Sequence, residues 1–164
     1  MGVTRRNEGA DPAEIEAIYR ARLADFRRVA TAIVGDREQG ADAVQEAFGS
    51  ALRKRKSFRG EGSLEAWLWR LVVNQARDER RSARRARAAA PQSMNGSAPS
   101  EDARLAAAIT ALPERQRLAV FLRYYADLDY ASIAAALGIK GGTVAAALNS
   151  AHDTLRKTLQ EALR

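Results

Sequence analysis

Asp42 and Glu46 are the first residues whose type and spacing suggest chemistry. They stand four positions apart, so a helix would place both carboxylates on one face with Gln45 beside them. Paired carboxylates can perform acid–base catalysis or bind Mg²⁺. However, the chain has no cysteine and one histidine, His152, and no glycine-rich phosphate loop lies near the pair. We therefore expect no enzyme, metal site or cofactor here. A polar patch for a protein partner and a plain solvated face both remain open.

A second candidate combines aromatic side chains with a run of arginines. Trp67 and Trp69 precede a strongly basic stretch that ends at Arg87. Such combinations bind single-stranded nucleic acid, because rings stack on bases while guanidinium groups follow the phosphates. A solvated helix end would have the same basic run. Trp67 is in phase with Leu64 and Leu68, which explains it as a core residue, whereas Trp69 lies off that phase and is predicted to be more exposed.

The segment from Tyr130 to Leu148 has the pattern of a helix-turn-helix. Ala134 is small where two helices would cross, and Gly138 supplies the positive φ that a tight turn needs. An ordinary αα-hairpin uses the same positions. The net charge of +7 favours DNA as the partner, with the start of the second helix entering the major groove. The predicted shared core consists of Ile133, Leu137, Ile139, Val144 and Leu148.

Helices must position these candidates, and the composition predicts an all-α fold. Ala supplies 35 of the 164 residues and Pro only four, and both Ala and Arg favour helix. Asp11 is the predicted cap of a first helix that Gly35 ends, and Asp36 begins a second. Ser63 caps a third. The residues predicted to face inward on the second helix are Ala41, Val44, Phe48, Ala51 and Leu52, and on the third Leu64, Trp67, Leu68, Leu71, Val72 and Gln75.

Four further helices are predicted after position 99. Ser100 caps the fourth, Pro113 opens the fifth, Asp129 caps the sixth, and the last helix begins near Thr143 and continues to Leu163. The residues predicted to face inward on the fourth and fifth are Leu105, Ala108, Ile109, Leu112, Leu118, Phe121, Leu122 and Tyr125.

Residues 89–101 are rich in Pro, Gly and Ser and have almost no large apolar side chain. Such a segment cannot bury enough surface to fold, so we predict a flexible linker between two small helical domains, 11–88 and 102–164. Residues 1–87 contain 19 basic and 13 acidic residues, so most of the positive charge lies in the first domain. The chain has no apolar run of membrane-spanning length and no secretion signal at its start, which predicts a cytoplasmic location and no membrane partner.

Two sets of residues resemble bacterial sigma factors of the extracytoplasmic-function group. The first set, Asp42-Ala-Val-Gln45-Glu46-Ala-Phe48 with Phe58-Arg-Gly-Glu-Gly-Ser63-Leu-Glu-Ala-Trp67-Leu-Trp69-Arg70, is similar to region two. The second, Ala111-Leu112-Pro113-Glu114-Arg115-Gln116-Arg117 followed by the helix-turn-helix, is similar to region four. The match covers roughly residues 12–88 and 103–160. The resemblance implies a two-domain protein that binds core RNA polymerase and directs promoter-specific transcription initiation.

The resemblance also implies a role for particular residues. The second helix would dock on the clamp helices of RNA polymerase, and the loop and helix after it would recognise the minus-ten element and hold a flipped base of the melted non-template strand. The implied polymerase-binding residues are Asp42, Gln45, Glu46 and Phe48. The implied minus-ten residues are Phe58, Ser63, Trp67, Arg70, Asn74, Arg77, Arg80 and Arg81. Region four would bind the minus-thirty-five duplex, and an anti-sigma factor is a possible further partner.

The chain departs from the family pattern at the second helix of the helix-turn-helix. The family often reads Thr-Val-Lys-Ser-Arg-Leu, but this chain has Ala145, Ala146 and Ala147 between Val144 and Leu148. Alanine can contact a thymine methyl group but reads no donor–acceptor pattern, so minus-thirty-five recognition is predicted to be weak or unusual. The remaining candidates are Arg123, Lys140, Thr143, Asn149 and Ser150.

Two other functions remain open at this point. A helix-turn-helix regulator of the response-regulator type would need a receiver domain with strands and a phosphorylatable Asp, and residues 1–87 show neither pattern. A sigma-like adaptor would bind polymerase or a regulator without reading promoters, and the three alanines are compatible with it.

Overall fold

The structure is a computed structural model that describes residues 9–88 and 101–162. Those residues form seven α-helices and a short 3-10 helix, and no strand occurs among them. The helices are α1 (Pro12–Val34), α2 (Arg37–Arg53), α3 (Leu64–Ala88), α4 (Glu101–Ala111), α5 (Glu114–Tyr124), α6 (Tyr130–Leu137) and α7 (Gly141–Ala162), and the 3-10 helix Arg55–Ser57 follows α2. The all-α prediction is confirmed. The predicted linker and the predicted cap Ser100 lie outside the described residues, apart from Glu101 at the start of α4.

The predicted helix caps are present in the N-terminal half of the molecule, α1 to α3. The Asp11 carboxylate accepts the Ala13 N–H at 2.9 Å, and Gly35 ends α1 with a φ of 88°. The Asp36 carboxylate accepts the Gln39 N–H at 2.9 Å, and the Ser63 hydroxyl accepts the Ala66 N–H at 3.1 Å. Each cap satisfies a backbone group that a helix end leaves free.

The core of the N-terminal half is aromatic. The Phe26 ring is fully buried and lies 5.1 Å from the Phe48 ring and 4.2 Å from the Trp69 ring, centroid to centroid. Helices α1 and α2 approach closely at Gly40, where an added Cβ would come within 2.6 Å of Thr31. Helix α3 packs against both α1 and α2, which completes a three-helix bundle.

The buried face of α3 differs from the prediction. Trp69, predicted to be more exposed, is fully buried, whereas Trp67, explained by its phase as a core residue, is only partly buried. The cause is a second packing partner: α3 packs on α1 and α2 along one side and on α6 along the other. The buried side of α3 therefore covers more of the helix circumference than contact with a single partner would. It consists of Ala66, Leu68, Trp69, Val72, Val73 and Ala76.

The C-terminal half, α4 to α7, contains the predicted helix-turn-helix. The Asp129 carboxylate accepts the Ser132 N–H at 2.7 Å and caps α6, and Gly138 ends α6 with a φ of 66°. Ile133, Val144 and Leu148 are fully buried or nearly so. Helix α7 begins at Gly141, two residues before the predicted start, because neither glycine at 141 and 142 breaks it.

Three apolar residues predicted to face inward are exposed instead. Leu52 is 47% exposed, Leu105 41% and Tyr125 37%. Leu52 lies at the end of α2 and borders a groove between α1 and α2, and Tyr125 directly follows α5, whereas Leu105 lies in the middle of α4. An apolar residue can therefore be in phase with the core of its helix and still have no neighbouring element that covers it.

The two halves pack against each other, an arrangement that the sequence left open. Besides the α3–α6 contact, α5 contacts α1. The Arg22 guanidinium donates to the Ala126 carbonyl at 2.6 Å, and the Arg28 guanidinium donates to the Tyr125 carbonyl at 3.4 Å. The buried apolar residues of both halves consequently form one continuous cluster.

Within the described ranges no single helix is long and apolar enough to cross a membrane. Helices α6 and α7 reach that length and apolarity only as a pair, with a bend of 100° between them.

Candidate nucleic-acid and polymerase interface

A pair of aromatic rings lies where the loop after the 3-10 helix meets α3. The Phe58 and Trp67 rings are 5.5 Å apart, and both side chains are partly buried. Ser63, between them in sequence, is exposed, and its hydroxyl caps α3. The pair therefore presents ring surface beside a polar helix start, which suits stacking of an unpaired base.

A polar face continues from this pair along α3. Arg70 comes three residues after Trp67, and Asn74 four residues after Arg70, so the three side chains lie on one side of the helix. Arg70 and Asn74 are exposed. Arg81, two helical turns beyond Asn74, is also exposed, and its Nη1 atom lies 3.6 Å from a carboxylate oxygen of Asp78. The structure thus brings an aromatic group, an amide and cations together, as the resemblance implied for this segment.

Arg77 faces the C-terminal half rather than open solvent. Its Nε and Nη2 atoms each donate to a Glu114 carboxylate oxygen at 2.9 Å, which joins α3 to α5. The hydrogen bonds from Arg77 hold the pKa of Glu114 below its ordinary value, and the charges of Arg77, Arg81 and Arg117 act in the same direction. In this arrangement the Arg77 guanidinium fork is already occupied by a carboxylate.

Arg80 also turns towards the C-terminal half. It is partly buried, and burial, followed by repulsion from Arg84, lowers its pKa. Arg77 and Arg80 were both expected to contact minus-ten DNA. Asn74 and Arg81 are open on that face. The Arg70 guanidinium lies beside the turn between α6 and α7, where a Cβ added at Gly138 would come within 3.6 Å of its Nη2 atom. Arg77 and Arg80 lie at the contact between the halves.

The predicted polymerase-binding residues share one region of α2. Asp42, Gln45 and Glu46 are exposed, and Glu46 forms a 2.9 Å ion pair with Arg53. Phe48 differs, because only 6% of it is exposed. It packs against Tyr19, with the ring centroids 4.8 Å apart, and so it supports the surface rather than projecting from it.

An apolar groove lies between α1 and α2 beside these residues. Its volume is about 430 Å³, and Gln45, Phe48 and the exposed Leu52 line it together with Ile15 and Tyr19. Leu52, predicted to be in the core, is thus a rim residue of a surface groove. The combination of an apolar floor and a polar rim is the arrangement that protein-binding surfaces have.

The predicted minus-thirty-five residues have mixed environments. Lys140, Asn149 and Ser150 are exposed, and Thr143 is partly exposed. Arg123 instead donates to the Leu128 carbonyl at 3.2 Å and so braces the turn before α6.

The three alanines at the start of α7 are not equivalent. Ala146 is exposed, Ala145 is partly buried, and Ala147 is 7% exposed. The nearby His152 is partly exposed, and its Nε2 atom lies 2.7 Å from the Tyr124 hydroxyl. The exposed alanine leaves the middle of this face without a hydrogen-bonding side chain.

Two residues at the contact between the halves were not predicted. Glu114 binds Arg77, and Arg117 is 8% exposed although it is charged. The position of Arg117 directly before Leu118, in a helix with several buried apolar residues, is a weak signal for burial. No sequence signal identified Arg77 as the partner of Glu114, because that pairing depends on how the halves pack. Among the described residues no group of three or more His, Asp or Glu side chains could hold a metal ion.

Comparison with known protein families gives two matches. The profile "Sigma-70 region 2" matches residues 18–86, and the profile "Sigma-70, region 4" matches residues 102–163. The chain is 34% identical over 163 residues to the ECF RNA polymerase sigma factor SigL of Mycobacterium tuberculosis, covering 93% of this chain and 92% of SigL. It is 32% identical over 143 residues to the ECF RNA polymerase sigma-E factor of Escherichia coli, covering 75% of each.

Two solved structures have a similar fold. CnrH, in complex with the cytosolic domain of CnrY, has a TM-score of 0.72 and covers 93% of this chain and 91% of CnrH. The sigma factor RpoE from Bartonella quintana, in complex with the anti-sigma factor NepR, has a TM-score of 0.67 and covers 90% of this chain and 97% of RpoE. Each is 22% identical to this chain.

Proposed function

This chain belongs to the extracytoplasmic-function group of RNA polymerase sigma factors, and we propose that the exposed faces of α2 and α3 perform its two main tasks. As a sigma factor it binds core RNA polymerase and directs promoter-specific transcription initiation. Sigma factors are non-catalytic initiation factors, so we propose that the protein itself is not an enzyme. The observation that carries the proposal is the face of α3 on which Trp67 is followed by Arg70 and Asn74.

Polymerase binding is assigned to α2. Asp42, Gln45 and Glu46 offer charged and polar groups, and the groove that Phe48 and Leu52 line offers apolar surface beside them. A polar rim around an apolar centre allows a coiled-coil clamp to bury its own apolar side chains without leaving charges unpaired.

Minus-ten recognition is assigned to the loop and the first part of α3. The Phe58 and Trp67 rings would stack on a flipped base, and the Asn74 amide would offer both a donor and an acceptor to its edge. Arg70 and Arg81 would hold the phosphates on either side. Ser63 fixes the start of the helix through its cap and so sets the position of Trp67. Arg77 and Arg80 would join this contact only when the C-terminal half moves away.

Minus-thirty-five binding is assigned to the exposed residues of α7 and the turn before it. Lys140 would contact a phosphate, while Thr143, Asn149 and Ser150 would offer hydrogen bonds. Arg123 is a weaker candidate because it already binds the Leu128 carbonyl. We propose boundaries of 11–88 and 102–164 for the two domains, a cytoplasmic site of action, and an anti-sigma factor as a possible regulator, since the similar RpoE structure is a complex with the anti-sigma factor NepR.

A sigma-like adaptor is the second candidate function, favoured only by the alanines of α7. The receiver-type regulator has no support, because the described residues contain no strand. Reconstitution separates the remaining two: core polymerase, the full-length protein and genomic promoter fragments are mixed, and transcripts are mapped. Run-off from defined start sites is expected of a sigma factor. Polymerase binding without initiation would contradict it and support the adaptor.

The assignment of α2 is tested with Leu52→Asp in the same system. Leu52 is exposed, so the variant is expected to fold while charging the rim of the groove. Its affinity for core polymerase should fall at least about tenfold. Leu105→Asp is the matched control, because Leu105 is similarly exposed but lies on α4. Equal loss of affinity in both variants would show that α2 is not part of the polymerase interface.

A further inference from the structure

A cavity of about 260 Å³ lies between the two halves of the molecule. One wall is the C-terminal end of α1, from Ala32 to Gly35; the opposite walls come from the last part of α3 and from α4 and α5. Three arginines line it: Arg80 and Arg84, one turn apart on α3, and Arg117 on α5. None of the described residues that line the cavity is acidic. The cavity is therefore strongly cationic.

Arg117 shows that this cation cluster is built into the fold. Only 8% of the residue is exposed, and its Nη1 atom donates to the Thr110 carbonyl at 2.9 Å and to the Leu112 carbonyl at 3.2 Å. Its Nε atom is buried and has no hydrogen-bond partner. A buried guanidinium donor without an acceptor is costly, and an anion in the cavity beside Arg117 would offset part of the cost of holding this charge there.

The positive charge in the cavity is not balanced by the protein around it. Glu114 is the acidic group that acts on both Arg80 and Arg117, but its two oxygens already accept hydrogen bonds from Arg77. Burial lowers the pKa values of Arg80 and Arg117; repulsion from Arg84 acts in the same direction on Arg80, and repulsion from Arg80 and Arg84 does so on Arg117, while Glu114 opposes both shifts. The carbonyl end of α1 contributes only about half a negative charge, against three guanidinium groups.

We propose that this cavity binds a small phosphate-type anion. A site of this volume is smaller than pockets for drug-sized ligands, which begin at about 300 Å³, but it has room for a phosphoryl group. Guanidinium forks bind phosphate oxygens in pairs, and several forks around one centre suit an anion with two charges better than a single carboxylate. The phosphoryl group can belong to inorganic phosphate or to a small nucleotide.

Such an anion would also link the two halves. Arg80 and Arg84 belong to the N-terminal half and Arg117 to the C-terminal half, so the ligand would join them through oppositely charged contacts. A ligand that binds only the packed arrangement stabilises it in proportion to its concentration. The cavity would then make the contact between the halves sensitive to phosphate. This inference rests on the packing of the halves and is independent of the proposed function.

The test is calorimetric titration of the full-length protein with inorganic phosphate at constant ionic strength, and a second titration with a nucleoside diphosphate. We expect one saturable site, and at least about tenfold weaker binding for Arg84→Gln, which removes one charge-assisted contact from an exposed side chain. Arg85→Gln is the matched control, because Arg85 is the exposed neighbour that does not line the cavity. It should change the affinity less than about twofold.

Several results would overturn the proposal. These are the absence of saturable binding up to about 10 mM of either probe, or equal weakening by Arg84→Gln and Arg85→Gln, which would indicate diffuse attraction instead of a site. Tighter binding of the diphosphate than of phosphate would identify a nucleotide as the source, and equal binding would identify inorganic phosphate. As a second readout, a given concentration of phosphate should raise the melting temperatures of the wild-type protein and of Arg85→Gln equally, and that of Arg84→Gln by less.

Discussion

Helices α3 and α7 are the two helices assigned to DNA, and they differ in almost every physical property. The N-terminal part of α3 has aromatic residues and its C-terminal part is rich in arginine, whereas α7 has no charged side chain from Gly141 to Ala151. Much of α3 is covered by the C-terminal half, while Lys140, Asn149 and Ser150 are exposed. The helix with the stronger nucleic-acid chemistry is thus the less accessible one. If the proposed roles of the two helices are correct, we expect promoter opening by α3 to contribute more to recognition than duplex binding by α7.

The largest effect is expected from the two tryptophans of α3, which the structure separates into a core residue and a surface residue. Trp69→Ala should lower the free energy of unfolding by about 3–5 kcal/mol, because it leaves a cavity between α1, α2 and α6. Trp67→Ala should cost about 1–2 kcal/mol, since Trp67 is only partly buried. Urea denaturation followed by circular dichroism measures both. Equal losses for the two variants would contradict the burial that separates them.

A smaller effect is expected at the ion pair that covers part of α3. Glu114→Gln removes the carboxylate that binds Arg77, and because Glu114 is largely exposed the contact should weaken by only about 1 kcal/mol. Dyes attached to exposed positions of the two halves would report this as lower energy-transfer efficiency. Glu161→Gln on α7 is a suitable control, because Glu161 is exposed and far along the sequence from the contact. An unchanged efficiency in Glu114→Gln would show that the apolar contact alone holds the halves together.

The same ion pair has a defined pH dependence. Because Arg77 lowers the pKa of Glu114 below its ordinary 4.5, the contact contributes fully above that value and is lost as the pH falls through the lowered pKa. Energy transfer between the halves should therefore decrease below about pH 4.5 in the wild-type protein, and this part of the change should be absent in Glu114→Gln. A wild-type profile identical to that of the variant would exclude Glu114 as the titrating group.

The smallest effect is expected from adding a cation to α7. Ala146 is exposed on the face of α7 that we assign to the duplex, so Ala146→Lys should create a phosphate contact. The affinity for a minus-thirty-five duplex should rise several-fold, and the salt dependence should steepen by about one released ion. Ala106→Lys, an exposed position on α4, controls for total charge. Equal gains from both variants would mean that α7 does not lie against the duplex.

The sequence predicts local features well, because they depend on neighbouring residues. Asp11, Asp36 and Asp129 cap their helices as predicted, since a cap needs only a short side chain and the following turn. Gly138 has the expected positive φ. The helix-turn-helix and the position of the candidate faces on α2 and α3 follow from the same periodicity.

Features that depend on packing between distant segments were not predictable. Trp69 appeared off-phase because periodicity assumes one packing partner, and α3 has two. Leu52 appeared to belong to the core because its helical phase matches that of the buried residues of α2, yet it lies at the rim of the groove between α1 and α2. The pairing of Arg77 with Glu114, 37 positions apart, requires the relative position of the two halves, which a pattern of local propensities does not contain.

The assignment of promoter opening to α3 is tested most directly by comparing α3 and α7 during strand opening. Polymerase is reconstituted with the wild-type protein, with Asn74→Ala or with Asn149→Ala, and permanganate reactivity of unpaired thymines is measured on the non-template strand. We expect Asn74→Ala to bind polymerase normally but to lose at least about tenfold in opening, and Asn149→Ala to open the promoter almost normally once it is bound. Normal opening by Asn74→Ala, or an equal loss in both variants, would contradict the assignment of promoter opening to α3.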